Sequence, residues 1–177
     1  MKILLILILM FMINAIDAAP LKIISSCQMN DNTQTMLLAK ASAEGNRFYL
    51  QIDGKLRRAF TDMPNTDFVG DVATTKCDKG LFIFAITYGP PYLKGVVIRK
   101  NPVTHIVERI DFAEKALPLL VYFNNDMMRL VIPNLGNEVN TKYLVYDFHA
   151  GKGQDNEAHG VNFKPATMGF SVLQLNH

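Results

Sequence analysis

The chain has no cluster of like charge, no second long apolar run and very little serine or cysteine, and each shortage removes a class of function. Its longest like-charge runs are the pairs Arg57-Arg58 and Arg99-Lys100, and its formal net charge is only +2. Non-specific nucleic-acid binding rests on clustered Lys and Arg, so no nucleic-acid partner is expected. Beyond residue 18, serine occurs only at positions 25, 26, 42 and 171. None of these stands in the Gly-x-Ser-x-Gly elbow that presents a hydrolase nucleophile. Gly151-Lys152-Gly153 is followed by Gln154 and lacks the strand–loop–helix context of a phosphate cradle. No cofactor is expected.

What is present begins at the start of the chain. Met1-Lys2 opens it, Ile3 to Ile13 is an unbroken apolar run, and a small polar stretch leads to Ala18 and Ala19-Pro20. This is the layout of a secretory signal peptide cleaved after Ala18. Eleven apolar residues are too few for a permanent span, which needs about 20. Residues 1–18 are therefore read as a signal peptide and residues 19–177 as one domain, secreted or periplasmic, with no membrane span after cleavage. Losing Lys2 and Asp17 from 18 basic and 16 acidic residues leaves 17 against 15, so the charge stays at +2. A domain of this size buries about 70% of the surface its unfolded chain exposes, enough for a core without metal or dense cross-linking.

The only cysteines are Cys27 and Cys77. In an exported chain an even count favours a disulfide over free thiols. A catalytic cysteine needs an unpaired thiolate beside a base, and nothing local to either position supplies one.

Period-2 alternation recurs along the mature chain and helical periodicity is almost absent. Phe48, Leu50 and Ile52 alternate with polar or amphipathic residues, and Asp53-Gly54 then suits a two-residue hairpin leading to a return strand over Lys55 to Phe60. Leu81 to Tyr88 is apolar almost throughout, as expected of a strand buried on both faces. Gly89-Pro90-Pro91 stops it. Strands also read at Leu21–Met29, Thr35–Ser42, Gly95–Arg99, His105–Phe112, Leu119–Phe123, Met127–Ile132, Lys142–Phe148 and Gly169–Leu175. One or two helical turns are expected over 111–117, capped by Asp111 and ended by Pro118. The fold class is all-β: a single antiparallel sandwich or barrel-like domain of about ten strands. Thr61–Thr75 and His149–Ala166 read as long loops, a type often functional in compact domains. Val107–Phe112 and Tyr143–Phe148 share an Asp-Phe ending that resembles part of a propeller blade. With room for only about four small blades, the match is read as coincidence.

Three groups of residues offer chemistry. Asp147 and His149, two apart at a strand end, face the same way, and His159 with Asp155 or Glu157 can fold back from the following loop. Three such ligands would hold zinc with an open position, although the spacing matches no defined motif and these residue types are ordinary in a solvated loop. Carboxylates such as Glu108, Asp111 and Glu114 meet for glycoside cleavage only if the fold gathers them. Tyr88, Pro90, Pro91 and Tyr92 form a stiff protrusion flanked by aromatics. Tyrosine offers large contact area with few rotors to freeze, and a proline-stiffened loop loses little entropy on docking.

In outline, a small exported all-β domain with one disulfide and no catalytic signature is similar to periplasmic inhibitors and immunity proteins of bacteria. The resemblance implies an exported soluble binding protein, of unknown protein partner or small ligand, that acts as an inhibitor or immunity-type protein on a partner protein. The alternatives are a secreted metal-dependent hydrolase using residues 147–159 and a structural envelope component.

Overall fold

The computed structural model describes residues 19–136 and 139–175; the expected signal peptide lies outside the described residues. The chain folds into three antiparallel sheets, each laid down largely as a meander in chain order. Sheet 1 contains β1 (Lys22–Gln28), β2 (Gln34–Ser42), β3 (Gly45–Ile52) and β4 (Lys55–Arg58). Sheet 2 contains β5 (Val72–Asp78), β6 (Leu81–Thr87), β7 (Leu93–Lys100) and β8 (Val107–Glu114). Sheet 3 runs from β12 (Gly153–Gln154) through β11 (Tyr143–His149), β10 (Met127–Pro133) and β9 (Leu120–Phe123) to β14 (Ser171–Gln174). β13 (His159–Val161) also pairs with β11. The expected all-β antiparallel architecture is what forms, as a sandwich with one extra layer.

Sheet 2 is the middle layer, which explains why β6 is apolar at every position from Leu81 to Ile86. Phe82, Phe84 and Ile86 pack with Leu37, Phe48 and Leu50 of sheet 1. Leu81, Ile83 and Ala85, on the opposite face, pack with Val121, Met128 and Leu130 of sheet 3. Alternate residues of a strand point to opposite faces, so a strand between two cores cannot afford a polar side. Gly95 of β7 leaves room for the Phe112 ring of β8; a Cβ there would lie 2.2 Å from Phe112 Cζ. A third, smaller cluster lies on the outer face of sheet 3, where Tyr122, Val131 and Val145 meet Val161 and Phe170.

Cys27 and Cys77 are disulfide-bonded with Cα atoms 5.3 Å apart, joining β1 to β5 and so sheet 1 to sheet 2. At the sheet 2–sheet 3 interface Arg99 and Glu108, almost fully buried, form an ion pair. The Asn101 amide donates to Glu108 Oε1 and to the Asn125 carbonyl, each at 2.7 Å, while Arg99 Nη2 donates to the Met127 carbonyl. Each buried charge thus has partners, the condition for burying it without a large penalty. Tyr146 of β11 donates its hydroxyl to Glu114 of β8. Burial, reinforced by that carboxylate, raises the Tyr146 phenol above its ordinary pKa.

Three local expectations need correction. Asp111–Glu114 continue β8 rather than starting a helix: Asp111 pairs with Val96, and its N–H donates to Gln154 Oε1 at 2.9 Å. Sheet pairing overrides the weak capping signal, and the helical turn found among the described residues is the three-residue Asn30–Asn32. The expected loop 61–75 ends earlier, because β5 begins at Val72 and Phe68 is drawn into the core. Asn46 and Phe68 exchange backbone hydrogen bonds of 2.9 and 2.8 Å. The expected loop 149–166 contains two short strands, β12 and β13. The Asp53-Gly54 hairpin forms as expected, with both φ angles positive, at 47° and 75°. The two Asp-Phe segments fall on the fourth strand of sheet 2 and the third of its meander in sheet 3, positions that are not equivalent.

Candidate functional site

Tyr88, Pro90, Pro91 and Tyr92 form the tip of the β6–β7 hairpin. The Tyr88 N–H donates to the Tyr92 carbonyl and the Tyr92 N–H to the Gly89 carbonyl, both at 2.8 Å. These bonds close the tip on itself, and the Pro90-Pro91 peptide is cis. Each tyrosine remains 42% exposed. The Tyr88 ring leans on Phe68, with centroids 5.9 Å apart, and the Lys115 ammonium lies 5.4 Å above the Tyr92 ring centre. A cation over an aromatic face adds roughly 0.5–1 kcal/mol at an exposed site. The hairpin tip is therefore braced from both sides while its outer faces stay open.

The structure adds neighbours that the sequence did not indicate. Tyr92 and Lys115 border a hollow of about 210 Å³ that also reaches Asn134, Gly136 and Val139 of the β10–β11 connection. Lys115 continues into a shallow groove lined by Leu93, Leu117, Pro118, Pro133 and Leu135. Leu135 is 64% exposed. The β6–β7, β8–β9 and β10–β11 connections lie at one end of the stack because alternate hairpins of a meander share an end. That register relation is invisible in local sequence. Leu135 reads alone as an apolar residue in a turn, and only the fold sets it near the tyrosines.

The candidate metal ligands are brought only partly together. Asp147, His149 and Asp155 offer ligand atoms within 4.8 Å of one another. β11 aligns the first two, and the Asp155 N–H donates to the Asp147 carbonyl at 2.9 Å, which folds the loop back. His149 Nε2 lies 3.6 Å from Asp155 Oδ2. His159 is held opposite Val145 on β13 and stands outside this group. Asp147 already has a cation. Arg129 of β10, its directly opposed neighbour, grips both carboxylate oxygens at 2.6 and 2.8 Å. A second cation would lie beside that guanidinium and be repelled by it. The arrangement suits a structural cross-strand pair better than an open metal centre, and the bidentate geometry is the strong form of such a pair.

The candidate acid–base carboxylates are each taken up by a separate partner. Glu108 is buried against Arg99, Asp111 is held by Arg109 and Glu114 accepts from Tyr146. Comparison with known proteins adds no relative: no protein-family model matches the chain, and neither a curated protein nor a solved structure matches it significantly.

Proposed function

We propose that the chain is an exported soluble binding protein that docks a partner protein through the Tyr88–Tyr92 end of the stack, as an inhibitor would. The observation that carries this reading is the pairing of exposure with rigidity: two half-open tyrosines sit on a hairpin tip closed by its own backbone bonds and braced by Phe68 and Lys115. Tyrosines in a preformed setting gain contact area without a large ordering cost. The adjoining groove at Leu117, Pro118 and Leu135 extends the apolar surface available to a partner. An oxidising compartment agrees with the Cys27–Cys77 bond. Among the described residues, no helix is long and apolar enough to cross a membrane.

The second reading, a metal-dependent hydrolase, has the Asp147, His149 and Asp155 group in its favour. The Arg129 clamp on Asp147 ranks it below binding. An envelope component without a discrete partner has no particular observation behind it. Cross-linking in the native extracellular or periplasmic fluid, followed by mass spectrometry, tests the main reading. A partner captured by the parent and lost from a folded Tyr88→Ala/Tyr92→Ala variant is the expected result. Capture unchanged by that variant would remove the basis for the proposal.

A further inference from the structure

Sheets 1 and 2 pack face to face but part at their last strands. β4 sets Lys55 opposite Ile52 and Arg57 opposite Leu50. Directly opposed residues share a face of the sheet. Leu50 belongs to the core between the two sheets, so Lys55 and Arg57 occupy positions turned toward sheet 2. Apolar side chains there would have closed the interface; two cations cannot be buried without partners, so this edge stays open to water. β8 forms the facing wall with Val107, Arg109 and Asp111, and the gap is a cleft of about 430 Å³.

The lining divides by chemistry. Leu50, Ile52, Ile98 and Val107 give an apolar wall. Lys55, Arg57, Arg58 and Arg109 give four cations against two carboxylates, Asp53 and Asp111. Arg109 is taken up locally, bonded to Asp111 and donating to the Ala59 carbonyl at 2.6 Å. Asp53 accepts from the Thr33 hydroxyl and lies 3.9 Å from Lys100. Arg58 rests over the Tyr49 ring at 4.7 Å. The side-chain charges of Lys55 and Arg57 have no ion-pair or hydrogen-bond partner among the described residues.

We propose that this cleft is a binding site for a small anion with an apolar body: a carboxylate or sulfonate carried on an acyl or aromatic frame. Its size falls within the range of about 300–1,000 Å³ common for small-molecule sites. An apolar wall with unpaired cations at its mouth matches a ligand of two characters, and the guanidinium fork of Arg57 fits an oxyanion head group. The site is separate from the Tyr88–Tyr92 end and does not depend on the function proposed for it.

Fluorescence titration of the mature, disulfide-bonded protein with 1-anilinonaphthalene-8-sulfonate at low salt tests the site. Saturation at one probe per chain is expected, with displacement by decanoate but not by decanol or inorganic phosphate. Lys55→Glu/Arg57→Glu should weaken probe binding about tenfold or more, the scale of one lost charge-assisted hydrogen bond. Both residues are exposed on an edge strand, so the variant should unfold at the same temperature as the parent. Methyl NMR of the parent with decanoate gives a reading that needs no variant: shifts should gather at Leu50, Ile52, Ile98 and Val107. No saturable binding, displacement by decanol or phosphate as good as by decanoate, undiminished affinity in the double variant, or shifts gathered at Leu135 and Val139 would each overturn the proposal.

Discussion

The interface between sheets 1 and 2 ends differently at its two edges. At the β1/β5 edge, the interface is sealed around the buried Cys27, cross-linked to Cys77 and sharing its cluster with Met29 and Leu37, while a hollow of about 390 Å³ remains toward Lys22, Ile24 and Val72. At the β4/β8 edge, the inward positions of β4 are Lys55 and Arg57, and the sheets part around a cleft. Backbone pairing is antiparallel at both edges. The β1/β5 edge also carries register shifts at Ile23/Ser25 and Val72/Thr74, which β4 and β8 lack, and the side chains at inward positions add to that backbone difference. An edge closes where those side chains gain by leaving water and opens where they lose by it.

The largest expected effect comes from breaking the closed edge. Cys27→Ala/Cys77→Ala should lower unfolding free energy by about 2–4 kcal/mol, because the cross-link restricts the unfolded chain across 50 residues. Urea denaturation reads this, and an unchanged midpoint would mean that packing alone seals that edge. A smaller effect should follow from acid at the segment that crosses from β4 to β5. The Arg47 guanidinium bonded to Asp67 holds that carboxyl below its ordinary value of 3.8, with the Ser42 hydroxyl contributing. A lowered folded pKa stabilises fully above 3.8, and the gain is lost as pH falls through the lower folded value. Thermal melts taken down through that window should fall more steeply for the parent than for Asp67→Asn; parallel curves would refute the linkage. The smallest effect belongs to the open edge: Arg57→Ala should change stability by no more than about 0.5 kcal/mol, as for a surface residue. A larger loss in the same urea assay would mean that Arg57 helps hold the sheets together.

Features of the fold that rest on local pattern were legible in sequence. Leu81 to Tyr88 reads as a doubly buried strand and forms one over Leu81–Thr87 between two cores, and Asp53-Gly54 reads as a hairpin because few other residue pairs tolerate two positive φ angles. The disulfide was legible from the expected signal peptide and an even cysteine count. Features that depend on register were not. Phe68 is a lone aromatic in a polar stretch, with no period to show that it enters the core. Arg129 is 18 residues from Asp147, and only the β10–β11 register makes them opposites. The same holds for the candidate sites. Tyr88 and Tyr92 stand out as a local motif, whereas the cleft needs β4 and β8 to face each other, and those strands are separated by most of sheet 2.

The first two sheets are covalently joined by Cys27–Cys77, and we propose that the chain is exported with its binding surfaces held on that fixed frame. Intact-mass and peptide mapping under non-reducing conditions, on protein recovered from the native extracellular or periplasmic fluid, tests it most directly. The account predicts a polypeptide beginning at Ala19, lighter than its fully reduced form by two hydrogen atoms, with the Cys27 and Cys77 peptides recovered as one linked species. A chain that keeps residues 1–18, or that carries two free thiols, would contradict it.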